Sequence, residues 1–416
     1  MFRKSRKSGI FVHPKKINPF NSMNKKLFLV QLLLLLSVAA YAATPSVKTD
    51  STRRSVVEYL LKKPAPQTLN IDLHMRSSLH ANFPNLATGK DETAIRFDYI
   101  VLDIHGEITP KLSYKYLQRL NKGSKVAELD NLSSGIDYLW IKYQFEDRFS
   151  VQAGRHALFF GGFEYEEYPV NVYDYAGIIN NISCYLNGLS FFYAPSPTQQ
   201  IGFQLMNNRP GSMTEAFGVP SEGIEAPSVP LYYSFAWNSS YADNRLKMRY
   251  AATAGELAKD KWAFFVSGGL QYTTSKVAAY VDLAYQRSEI DHLGVVRRMS
   301  LAEDGALWGG MGRNVEYLTA TANLNYRFCP KWNFHLKGYY DRGSVYKSTE
   351  QFAEGNYLSS WGYDASMEFY PMADQNLHIY LNVAGKNYRE SRLANTFTPR
   401  DMLRVSLGFV YRLPVL

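Results

Sequence analysis

Arg245, Lys247 and Arg249 fall on alternate positions of one short stretch. Alternate residues of an extended strand share a face, so these three cations form a ladder. Such a ladder makes and breaks no bonds; it lowers the electrostatic barrier to a passing anion. Arg76, Lys115, Arg119, Lys142, Arg327 and Lys337 occupy the polar faces of other alternating segments, as do Lys386, Arg404 and Arg412. Carboxylates share those faces at Asp72, Asp103, Glu107, Asp282, Asp341, Asp364 and Glu368. The basic set is the larger, which favours an anion path. The same charges could instead pair off and merely solvate a wall, and at this level both readings stand.

Bond-making chemistry has weaker footing. His74 and His80 share a face but stand about 20 Å apart at ~3.3 Å per residue, too far for one metal ion. Gly161-Gly162 and Gly309-Gly310 lack the Lys-Ser/Thr pair of a phosphate-binding loop. No Gly-x-Ser-x-Gly elbow appears. A barrel hydrolase would need a Ser/His/acid cluster on one rim, and the apolar faces hold almost no His or acid. Cys184 and Cys329 map to opposite rims, so two unpaired thiols are expected rather than a bridge. No cofactor is implied.

These side chains need strands to hold them. Leu69, Ile71, Leu73, Met75, Leu79, Ala81 and Phe83 alternate with Asn70, Asp72, His74, Arg76, Ser78, His80 and Asn82. One wall is apolar and the other polar over about 15 residues, against a usual ~5–6 in soluble proteins. The pattern recurs in about 16 segments, from 68–83 to 401–413. Their lengths match the roughly 9–11 residues that a tilted membrane strand needs. Lipid offers no hydrogen-bond partners, so such a sheet must close on itself. The expectation is an all-β fold: a transmembrane antiparallel β-barrel, too wide for its side chains to fill, with an aqueous interior. Aromatic residues make up 15% of the chain, enough for two interfacial girdles. Tight turns such as Thr109-Pro110-Lys111 and long connections such as 159–183 are expected to alternate strictly. That would sort them onto periplasmic and extracellular rims.

The formal charge of +9 misleads. Residues 1–42 hold eight Lys or Arg and no acid, and the remainder carries 38 basic against 37 acidic residues. A nucleic-acid partner therefore finds no support. Met23 opens a basic n-region, an apolar run over Leu27–Ala40 and a small-x-small site at Ala40-Tyr41-Ala42. The expected organisation is upstream sequence at 1–22, a cleaved signal peptide at 23–42, a periplasmic lead-in at 43–67 and the barrel at 68–416.

Several stretches carry a family resemblance: Asp137-Tyr138-Leu139-Trp140-Ile141-Lys142-Tyr143, Val151-Gln152-Ala153-Gly154-Arg155, Gly161-Gly162-Phe163-Glu164-Tyr165 and the closing Gly408-Phe409-Val410-Tyr411-Arg412. With these, the chain resembles the phosphate-selective porin O and P family, and more closely its members from Bacteroidetes. The resemblance implies a 16-stranded barrel, commonly a homotrimer, in the outer membrane of a Gram-negative bacterium. It implies a third extracellular loop folded inward to narrow the pore, and small anions diffusing past inward arginines and lysines. In this chain Arg155, His156, Glu164, Glu166, Glu167 and Asp174 would mark that constriction. The chain departs from the family at Ala157-Leu158-Phe159-Phe160, and the four acids oppose a cationic wall. The resulting expectation is passive diffusion of small polar solutes through a lipid-wrapped barrel. The alternative is a surface barrel whose long loops bind a ligand.

Overall fold

Along Asn70–Pro84 the polar residues Asp72, His74, Arg76, Ser78 and His80 are buried, while Leu79 among them is 45% exposed. A soluble sheet would show the reverse. Apolar groups facing out and polar groups facing in are what a lipid-wrapped strand requires. Ile141, Phe235 and Val281 repeat the inversion on other strands.

The computed structural model describes residues 69–84, 92–299, 308–372, 376–389, 391–394 and 401–416. The expected signal peptide and lead-in lie outside the described residues. Sixteen strands follow in order. The first eight are β1 (Asn70–Pro84), β2 (Glu92–Thr109), β3 (Leu112–Arg119), β4 (Ile136–Glu146), β5 (Phe149–Ala157), β6 (Tyr185–Ser196), β7 (Gln199–Asn207) and β8 (Leu231–Tyr241). The rest are β9 (Leu246–Ala258), β10 (Lys261–Thr273), β11 (Val277–Ile290), β12 (Arg313–Cys329), β13 (Trp332–Val345), β14 (Gly355–Phe369), β15 (Asn376–Arg389) and β16 (Met402–Pro414). The first and last strands lie within two residues of the expected 68–83 and 401–413.

Each strand pairs antiparallel with its neighbours in sequence, and β16 pairs with β1 to close the barrel. Closure satisfies the backbone of every strand, where each unpaired group in lipid would cost several kcal/mol. Opposed residues in such a ladder point to the same side, so His74 opposite Arg412 and Asn82 opposite Arg404 all face inward.

The connections depart from strict alternation at one place. Between β9 and β10 only Lys259-Asp260 intervene, on the rim that otherwise carries the long loops. Asp260 takes a left-handed conformation (φ 60°) and its N–H donates to Glu256 Oε1 at 2.7 Å, which closes the tight turn. Lys259 meets Glu225 of the β7–β8 loop at 3.0 Å, so the neighbouring loop reaches over this turn. Cys184 precedes β6 on the long-loop rim and Cys329 ends β12 on the short-turn rim; both are free thiols.

Candidate functional site

The connection between β5 and β6 runs through the barrel interior. Gly161 (φ 71°) and Gly162 (φ 88°) turn it inward in the left-handed region, which glycine adopts at least cost. A side chain at either would also strike the wall, at Ala251 and Ser267 or at Asp282. Around this turn the loop backbone is pinned by wall side chains. The Phe159 N–H donates to Gln204 Oε1 at 2.6 Å, and Thr253 donates to the Phe159 carbonyl at 3.1 Å. Asp282 Oδ2 accepts from the N–H groups of Phe163 and Glu164 at 2.7 and 2.8 Å.

Glu164 is the central anchor. Its carboxylate accepts from Lys337 Nζ at 3.0 Å, from Thr321 Oγ1 at 3.1 Å and from the Ala176 N–H at 3.0 Å. Lys337 also lies 3.6 Å from Asp364 Oδ2 and donates to the Asp174 carbonyl. Both members of the Glu164–Lys337 pair are almost fully buried. Such a pair persists only when its remaining hydrogen bonds are filled, and here they are. Farther along, Tyr173 donates to Glu368 at 2.8 Å, Arg404 to the Tyr173 carbonyl at 2.7 Å, and Arg76 to the Val172 carbonyl at 2.5 Å. Tyr168 donates to Asp103 Oδ2 at 3.0 Å. The loop thus bonds to the wall from β7 round through β16 to β2. Burial pushes the Glu167 carboxyl above its ordinary range, opposed by the nearby His335 and Lys337 charges.

Most of the inward cations have an acid beside them. Arg76 lies 3.7 Å from Asp98, Lys115 2.9 Å from Asp103 and Arg119 2.7 Å from Asp137. Arg249 pairs with Glu166 of the loop, Lys386 with Asp341 and Arg412 with Asp72. Among the described residues no carboxylate lies within ion-pair distance of Lys142, Lys247 or Arg327. Lys142 rests over the Phe192 ring at 4.8 Å and Arg327 over Tyr370 at 3.8 Å. These three stand toward the short-turn end of β4, β9 and β12.

Three expected site residues are placed elsewhere. Arg245 sits in the turn before β9, not on the ladder, because the strand begins at Leu246. Arg155 and His156 lie on β5 rather than in the loop, and as adjacent residues of a strand they face opposite ways. Arg155 is opposed to the exposed Leu139, so it points outward. There the β3–β4 loop covers it, with Asp130 at 3.2 Å. His156 points inward and meets Ser190 at 2.5 Å.

Two cavities flank the loop, and both touch Val172. The one toward the long-loop rim holds about 430 Å³ and is lined by Arg76, Arg96, Asp98, Tyr99, Asp174 and Arg404. The one toward the short turns holds about 560 Å³ and takes in His74, Glu167, Arg327, Lys337, Glu368 and Arg412. Arg96 and Asp98 escaped the parity reading because a register shift between Arg76 and Ser77 re-aims β2 opposite them. Over β6–β14 the long-loop end of the interior is filled instead. Phe217, Leu293, Val296 and Phe352, from the loops there, pack onto Leu186, Met206, Val315 and Val345 of the wall.

The family model for phosphate-selective porin O and P matches residues 70–413. No curated protein matches the chain. Among solved structures, the outer membrane channel DcaP of Acinetobacter baumannii superposes with a TM-score of 0.54 at 12% identity, covering 84% of this chain and 98% of that one. An anion-selective porin from Comamonas acidovorans gives 0.54 at 10% identity, covering 83% and 99%. OmpT of Vibrio cholerae gives 0.50 at 7% identity, covering 84% and 99%. At such identities the shared property is the barrel fold. With the family match spanning every strand, the chain belongs to the phosphate-selective porin O and P family, whose barrels stand in the outer membrane of Gram-negative bacteria.

Proposed function

We propose that this chain is a passive pore for small polar solutes, with the β5–β6 loop as its constriction. The observation that carries the reading is the ring of wall contacts made by that loop, from Gln204 on β7 to Asp103 on β2. A loop held at so many points cannot swing clear, so solutes must pass through the cavities beside it. Transport of this kind needs no covalent step. The assembly suggested by the family is a homotrimer.

The charge pattern supports a mild anion preference rather than a dedicated phosphate site. Most wall cations are neutralised by an adjacent carboxylate, while Lys142, Lys247 and Arg327 add positive charge near the short-turn mouth. Cationic rings of this kind bias a pore toward anions. The test is the refolded protein in a planar bilayer under a salt gradient. Stepwise openings with a reversal potential on the anion side are expected. Cation-side reversal would overturn the preference, and an absence of steps would overturn the pore itself.

A further inference from the structure

The cavity toward the long-loop rim has an unusual charge arrangement for an anion path. It combines three arginines, Arg76, Arg96 and Arg404, with two aspartates, Asp98 and Asp174. Arg76 is already committed. Its guanidinium donates to the Val170 and Val172 carbonyls and lies over the Tyr99 ring at 4.7 Å. Arg404 also donates to the Tyr173 carbonyl, Asp98 also accepts from Ser78 and lies 3.7 Å from Arg76, and Asp174 also accepts from Tyr339. Two guanidinium groups and two carboxylates thus keep part of their hydrogen-bonding capacity for a solute. Arg96 and Asp98 form one pair at 2.9 Å on β2; Arg404 and Asp174 form the other at 3.6 Å, between β16 and the loop. Tyr175 and Tyr380 also line the cavity.

We propose that this cavity is a subsite for zwitterionic solutes of amino-acid or dipeptide size. It rests on the pore reading above and names the solute class that the pore favours. A carboxylate finds a planar fork at Arg96 or Arg404. An ammonium finds Asp98 or Asp174. The solute can exchange into an existing ion pair, replacing each partner with its own opposite charge, so no charge is left stranded. A phosphate dianion cannot do this. It gains the arginines but meets both aspartates in a confined space where like charges repel strongly. A neutral polyol meets neither penalty, but it gains no charge-assisted bond. The volume of about 430 Å³ suits a small organic solute. The paired resting state keeps each interaction weak enough for release, as conduction demands.

The test is osmotic swelling of proteoliposomes with alanyl-alanine and xylitol, solutes of similar size, alongside phosphate uptake. The wild-type protein should admit alanyl-alanine about fivefold faster than xylitol, the scale of one modest charge-assisted contact. Asp98→Asn should bring that ratio close to one and raise phosphate uptake. Should Asp98→Asn fail to yield a heat-modifiable barrel, Arg96→Gln removes the other half of the same pair and should also erase the ratio. Normal conductance steps in KCl with equal swelling for the two solutes would overturn this inference alone. Absence of KCl steps would overturn the pore reading and this one with it.

Discussion

Strands β6–β14 and strands β15, β16, β1 and β2 carry the same alternation, yet their interiors end differently at the long-loop rim. Over β6–β14 the inward positions near that rim turn apolar: Leu186, Met206, Ile290, Val315 and Val345 are all nearly inaccessible. Folded loops pack onto them. Over β15–β2 inward positions near that rim include Ser78, His80, Arg404 and Ser406, which line an open cavity. One sector has a hydrophobic core of the ordinary kind, built inside a barrel. The other leaves room for water. The difference shows how one barrel interior can be packed on one side and open on the other.

The comparison breaks most sharply at Lys337, which ties the loop to the packed side. Lys337→Ala leaves Glu164 buried without its cation, and should cost about 3–5 kcal/mol. The loop should loosen around Glu164 while its other contacts hold, giving noisier single-channel currents and an earlier urea midpoint in detergent. Unchanged noise and midpoint would show that the anchor is idle. Next in size is Leu293→Ala, which opens a cavity in the packed sector and should cost about 2–4 kcal/mol. Its single-channel conductance should nonetheless match the parent, because at the long-loop rim the open cavity lies in the other sector. A large conductance change there would erase the distinction between the two sides. The smallest effect on stability is expected from Lys142→Gln with Lys247→Gln, within about 0.5 kcal/mol of the parent. That pair should instead lower the anion-to-cation permeability ratio by about twofold, read from the reversal potential. No shift in reversal potential would mean that the short-turn mouth does not set selectivity.

Strand positions were legible because a two-residue period must persist wherever one face meets lipid and the other water. Met248, Tyr250 and Ala252 outward against Lys247 and Arg249 inward is as clear in the sequence as in the barrel. The candidate site was legible only in part. Glu164, Glu166, Glu167 and Asp174 do lie on the loop that enters the interior. Parity could not announce that Glu164 would find Lys337, because those residues are 173 positions apart and meet only across the interior. Nor could it assign Arg155 to a partner in the β3–β4 loop, or Arg96 and Asp98 to a cavity, since one follows from loop packing and the other from a register shift.

The sequence alone decided which residues alternate, how many strands they make and therefore that the sheet closes, because lipid penalises every unpaired backbone group in the same way at every strand. Which cations remain unneutralised, and which part of the interior stays open, was decided only when the barrel brought distant strands and the β5–β6 loop together. Charge pairing acts over a few ångströms of space, and no spacing along a chain encodes that distance.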